Sequence, residues 1–158
     1  MTDLQATIQP ERPFLDWPVA TDPSGWSDAR VALLGIRHSE PYSHDPFPND
    51  QAKAPGAIRR MSQSFCYNPA HWDFDVGTDL ASNLPAHVDM GDVAFDGGDY
   101  TAYASAITAR ARRLWRQGTQ VIVLGGDHGV TIPVVDALDA VGGPVHILHV
   151  DAHLDHGR

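Results

Sequence analysis

The spacing of apolar positions along the chain changes repeatedly, and each change predicts an element. Residues 31–36, V-A-L-L-G-I, are continuously apolar, the pattern of a strand buried on both faces of a parallel sheet. The polar, Pro-rich stretch 37–51 reads as a long loop. Over 54–65 the spacing predicts a short helix, with Pro55 in its first turn and Ala57, Ile58, Met61 and Phe65 facing inward. His87 to Met90 predicts a short strand running into Gly91-Asp92. From Tyr100 to Gln117 the apolar residues Tyr100, Tyr103, Ala104, Ile107, Ala111, Leu114 and Trp115 follow the period of a helix with one buried face. Asp99 is placed to cap its N-terminus, arginines fill its last turns, and Gly118 ends it.

The last third alternates. Gln120–Leu124 predicts a strand, about 130–141 a helix with Val134, Val135, Leu138 and Val141 on one side, and Val145–Val150 a final strand after the break at Gly142-Gly143-Pro144. Strands alternating with helices at this spacing predict an α/β fold, with parallel strands joined by right-handed crossovers. Residues 1–29 show no period and carry four prolines. They read as an irregular arm draped over the domain or a neighbouring subunit, with Trp17 and Trp26 as anchors, and the α/β domain occupies 30–158.

Composition narrows the partners. Twenty acids against 11 bases give a net charge of −9, which argues against nucleic acid or an anionic membrane surface as a partner. No stretch approaches the roughly 20 apolar residues of a membrane span, and the N-terminus lacks a signal-peptide pattern. A cytoplasmic location is the expectation. The lone Cys66 can form no internal disulfide or thiolate zinc cluster and reads as a small packed hydrophobe.

The candidate chemistry lies at two strand ends. In open parallel sheets, ligands bind beyond the carboxyl ends of the strands. There the sequence places Gly125-Gly126-Asp127-His128 and Asp151-Ala152-His153-Leu154-Asp155. If the last strand stays extended past Val150, Asp151, His153 and Asp155 share one face. Two carboxylates and an imidazole held together are costly without a cation. Oxygen and imidazole donors suit Mn²⁺, Fe²⁺, Co²⁺, Ni²⁺ or Zn²⁺, and the absence of thiolate argues against a structural zinc site. Either motif alone also fits solvated turn residues, and Asp127 also reads as a helix cap. Together, at one sheet edge, the two favour a metal, with His128 as a fourth ligand. His146 and His149 read as structural, His149 behind the ligands. His156 is unassigned.

G-G-D-H (125–128) followed by V-D-A-H-L-D (150–155) resembles the ureohydrolase family of arginases and agmatinases. V-A-L-L-G-I (31–36), P-G-A-I-R (55–59) and D-M-G-D-V (89–93) are similar to family segments in the same order. The resemblance implies a three-layer α/β/α domain with a mainly parallel sheet, incomplete in this chain. It implies a hydrolase holding two Mn²⁺ ions (Ni²⁺ or Co²⁺ as alternatives), whose metal-bridging hydroxide attacks a guanidino substrate to release urea and an amine. Carried over, His128 binds one metal and His153 the other, Asp155 joins His128, and Asp151 bridges both, which makes Asp151 the catalytic candidate. A homo-oligomer, trimer or hexamer, is also implied.

The sequence departs from the family in several places. Gly129 stands where a serine is common, the loop 37–50 lacks the usual Gly-rich pattern, and no S-x-D-x-D-x-x-D-P motif or later catalytic His-Gly element is found. The expectation is an N-terminal portion of a longer enzyme, inactive alone. The alternative is a non-catalytic truncated homologue or assembly subunit with a partial metal site.

Overall fold

A computed structural model describes residues 4–39, 50–65, 68–95 and 99–153. Cys66, Asp155, His156 and most of the loop after residue 39 lie outside these. In order, the elements are β1 (Val31–Ile36), α1 (Ala54–Phe65), β2 (Trp72–Asp73), β3 (Thr78–Asp79), α2 (Leu80–Asn83), β4 (His87–Val93), α3 (Tyr100–Arg116), β5 (Gln120–Leu124) and α4 (Thr131–Val135). The main sheet has the order β4-β1-β5, with both pairs parallel. β2 and β3 form a separate antiparallel pair.

β1 is central and buried along its whole length, as its unbroken apolar run predicts. Its alternate residues supply two cores. Ala32, Leu34 and Ile36 pack with Met90, Val93, Trp26 and the α3 residues Tyr103, Ile107 and Leu114. Val31 and Leu33 pack on the opposite side with Trp17 and Leu124, beside Phe14, Leu15 and Leu84. One layer is therefore α3, the next the sheet, and the third α1 with residues 14–17 of the N-terminal segment. α3 forms as its period predicts: Asp99 accepts the backbone N–H of Thr101, and Gly118 turns the chain at φ +75°.

The N-terminal segment runs along the outer edge of β4. Ile8 bridges Asp92 and Val19 bridges Asp89, so the edge is covered. Trp17 and Trp26 are both buried. The Trp26 indole donates to the Ala20 carbonyl at 2.8 Å.

β4 extends past Met90 to Val93 by way of a bulge. Leu33 pairs with Asp89 but Gly35 pairs with Asp92, so β4 spends one extra residue between them. Gly91, at φ +71°, takes up that residue, and a Cβ there would sit 2.2 Å from the Ile8 carbonyl oxygen. In an even strand, Asp89 and Asp92 would point to opposite faces. The bulge brings both carboxylates to Arg59.

Three expectations are corrected. α1 has the predicted bounds, but it buries Pro55 and Arg59 while Ile58, Met61 and Phe65 are exposed. The buried ion pairs of Arg59 set its orientation, and apolar periodicity cannot register them. The helix over 130–141 is broken into a 3-10 turn (His128–Val130), the five-residue α4 and another 3-10 turn (Leu138–Ala140). Four of the five α4 residues are β-branched and the fifth is Pro133, so little local propensity favours extending it. Val145–Val150 forms no strand among the described residues, and Ile147, Leu148 and Val150 stand in solvent at 68%, 89% and 86% exposure. A strand pattern of this kind becomes a strand only with a ladder partner and a layer on each face. Among the described residues this segment has neither. No described helix is long and apolar enough to cross a membrane.

Candidate metal centre

The first half of the site is built where β5 ends. Gly125 and Gly126 are required by packing. A Cβ on Gly125 would approach Val130 Cγ2 to 2.5 Å, and one on Gly126 would approach the Gln51 carbonyl oxygen to 2.2 Å and the Ala54 Cβ to 2.8 Å. The chain is thus pressed against the start of α1 as it leaves the sheet. Asp127 accepts the backbone N–H of Gly129 at 2.7 Å and caps the turn His128–Val130. His128 therefore leads that turn, with its ring 48% exposed at the carboxyl edge of β5.

The second half arrives from the irregular, exposed segment after Pro144. Asp151 Oδ2 lies 3.6 Å from His149 Nε2 and 3.9 Å from His128 Nδ1. The His128 and His149 rings stand 5.3 Å apart, centroid to centroid. One donor atom from each of His128, His149 and Asp151 falls within 4.8 Å of the other two.

His153 is placed differently from expectation. Asp151 Oδ1 accepts the His153 backbone N–H at 2.7 Å. That closes a local turn, so residues 151–153 do not continue as an extended strand with a shared face. His153 Nδ1 still lies 3.3 Å from Asp151 Oδ1, with its ring 82% exposed. The backbone hydrogen bond from His153 is the main cause holding the Asp151 carboxyl below its usual range. Desolvation opposes it, while the His153 side-chain hydrogen bond and the nearby His149 and His128 act in the same direction as the backbone bond. The site thus presents a carboxylate and imidazole nitrogens, a donor set that fits a borderline divalent cation.

His149 is the residue that the sequence reading assigned to support and the structure brings into the cluster. Its signal was in the spacing. It lies two positions before Asp151, the same interval that separates Asp151 from His153. Asp155 lies outside the described residues.

Fold and geometry together define a parallel α/β domain with a candidate divalent-cation site at the carboxyl edge of its sheet. The chain belongs to the Arginase family, whose sequence model matches residues 29–158. It is 33% identical over 150 residues to an agmatinase of Serratia proteamaculans (strain 568), covering 90% of this chain and 44% of that protein. Among solved structures it resembles a hypothetical agmatinase from Burkholderia thailandensis, at 27% identity and a TM-score of 0.67, covering 89% of this chain and 42% of the other. It also resembles a variant of Trypanosoma cruzi formiminoglutamase, solved with Mn²⁺, at 25% identity and a TM-score of 0.67, covering 82% and 41%. The chain spans less than half the length of these proteins. The observed layers are those of an incomplete arginase-like α/β/α domain.

Proposed function

We propose that these residues form the first part of the active site of a metal-dependent ureohydrolase, of the agmatinase or guanidino-acid type, that converts a guanidino compound to urea and an amine. The observation that carries this reading is the convergence of His128, His149 and Asp151 at the carboxyl edge of an Arginase-family domain. The agmatinase relative and the Mn²⁺ in the T. cruzi formiminoglutamase structure support it.

His128, Asp151, His153 and Asp155 are the proposed metal ligands of the complete site, and in this chain alone His149 stands with His128 and Asp151 in the cluster that would hold the first cation. When bound, two divalent cations would lower the pKa of a shared water and supply a nucleophile at neutral pH. Mn²⁺ is the proposed ion, with Ni²⁺ and Co²⁺ as alternatives on donor chemistry. Asp151 would supply the anionic ligand to the cations, and the His153 N–H fixes its orientation. The Asp127 cap and the packing of Gly125 and Gly126 set His128 opposite it. The remaining ligands would come from an S-x-D-x-D-x-x-D-P segment, which the 158 residues do not contain. The chain alone is therefore proposed to be inactive. Homo-oligomeric assembly and a cytoplasmic location belong to the same proposal.

The test is urea release by a protein that carries these residues together with that segment, assayed with Mn²⁺ and with Asp151→Ala beside it. Activity lost in the variant is the expected result. Urea release unaffected by the substitution would overturn the site. A second reading, a non-catalytic assembly subunit, draws on the exposed Ile147, Leu148 and Val150. It predicts a stable complex with a partner and no urea release from any form of the protein.

A further inference from the structure

A separate cleft of about 310 Å³ lies between the N-terminal segment and α1. Five cationic side chains line it, Arg12, Arg37, Lys53, Arg59 and Arg60, against two carboxylates, Glu11 and Asp92. The whole chain carries only 11 Lys and Arg against 20 acids, so composition does not account for this concentration of positive charge.

The cations are unequally committed. Arg59 is saturated by Asp89 and Asp92. Lys53 pairs with Asp50 at 2.6 Å, but both side chains are largely exposed, and such pairs separate at little cost. The ion-pair contact of Arg37 among the described residues is Asp92, at 3.9 Å, a carboxylate that Arg59 already engages at 2.5 Å. Arg12 reaches the side-chain oxygen of Gln63 at 3.4 Å. Among the described residues, Arg60 has no ion-pair partner. The cleft also takes in Gly56 in the first turn of α1, at the positive end of the helix dipole. Converging like charges in a concave site raise the local potential and favour a counter-ion.

We propose that this cleft binds a small, multiply charged oxyanion of the phosphate class, held by Arg12, Arg37, Lys53 and Arg60. A tetrahedral dianion offers acceptors to several guanidinium forks and an ammonium at once. A single carboxylate is matched by one fork. None of the cleft's lining residues is a candidate metal ligand, and its ligand does not depend on the proposed reaction.

Isothermal titration of the protein with inorganic phosphate at constant ionic strength tests this, with glycerol phosphate and acetate as parallel titrants. Saturable binding of phosphate or of the ester is expected, with acetate much weaker, and the tighter of the first two identifies the source of the phosphoryl group. Arg60→Gln and Lys53→Gln, both at exposed positions, are each expected to weaken binding about tenfold. Arg112→Gln, which removes a base that pairs with Asp139 elsewhere, should leave it unchanged. Absence of saturation, equal binding of acetate, or equal weakening by Arg112→Gln would overturn the proposal.

Discussion

Arg59 and Asp89 form a doubly hydrogen-bonded ion pair in the interior, Nε to Oδ2 at 2.8 Å and Nη2 to Oδ1 at 2.9 Å, with both side chains almost wholly buried. Asp92 joins from the far side of the β4 bulge, and Gly35 leaves it room. A Cβ at Gly35 would lie 1.9 Å from Asp92 Oδ1. Burial alone would push the guanidinium pKa down, but the hydrogen bonds and charges of Asp89 and Asp92 more than reverse it. The same carboxylate orders the N-terminal segment, because Asp89 Oδ2 accepts the Phe14 N–H at 2.9 Å.

Removing one partner of such a cluster leaves buried charge uncompensated. Arg59→Met is expected to destabilise the fold by about 3–5 kcal/mol in urea denaturation. Arg59→Lys should also lose stability, since an ammonium cannot reproduce the fork. A change in either variant no larger than that of a surface substitution would show that the cluster is not structural.

The bulge makes a second prediction. Gly91→Ala places a Cβ at positive φ and against the Ile8 carbonyl. A loss of about 1–3 kcal/mol is expected, together with faster hydrogen exchange at the Ile8 and Asp92 amides that pair across this edge. Unchanged exchange at both amides would count against the role given to Gly91.

Tyr103 gives a pH dependence of definite sign. Burial pushes its phenol above the usual tyrosine range. The protonated form is the neutral one, so the stability linked to this shift is present below the unfolded-state value of about 10 and is lost as pH rises beyond it. Denaturation between pH 9 and 11 (roughly one unit either side of that value) should show a steeper alkaline decline in the wild type than in Tyr103→Phe. The difference for one group is at most about 1.4 kcal/mol per pH unit. Identical slopes would contradict the assignment.

Much of this was legible in the sequence, and the failures have physical causes. β1 and α3 were readable because their burial follows apolar periodicity, and Asp99 and Gly118 mark the ends of α3. The face of α1 was not, because a charged residue, Arg59, lies inward through partners some 30 positions away. Val145–Val150 carries a strand pattern that only neighbouring layers could realise. At the site, the two motifs did converge through His128 and Asp151. The turn closed by Asp151 and the His153 N–H then displaced the even two-residue alternation, and His149 rather than His153 joined the tight cluster.

That difference can be measured. Mn²⁺ titration followed by electron paramagnetic resonance should show His128→Ala and His149→Ala each weakening binding about tenfold or more, with His153→Ala costing less in this chain. If His153→Ala alone abolished binding while His149→Ala had no effect, the three-residue cluster would be the wrong description of the site.

The most direct test of the proposed function is urea production. A protein that unites these residues with the missing aspartate segment, loaded with Mn²⁺, should release urea from at least one of agmatine, arginine and a series of guanidino acids. Asp151→Ala should remove that activity, and the present chain alone should show none. No urea from any of these compounds with Mn²⁺, Ni²⁺ or Co²⁺ would contradict the account.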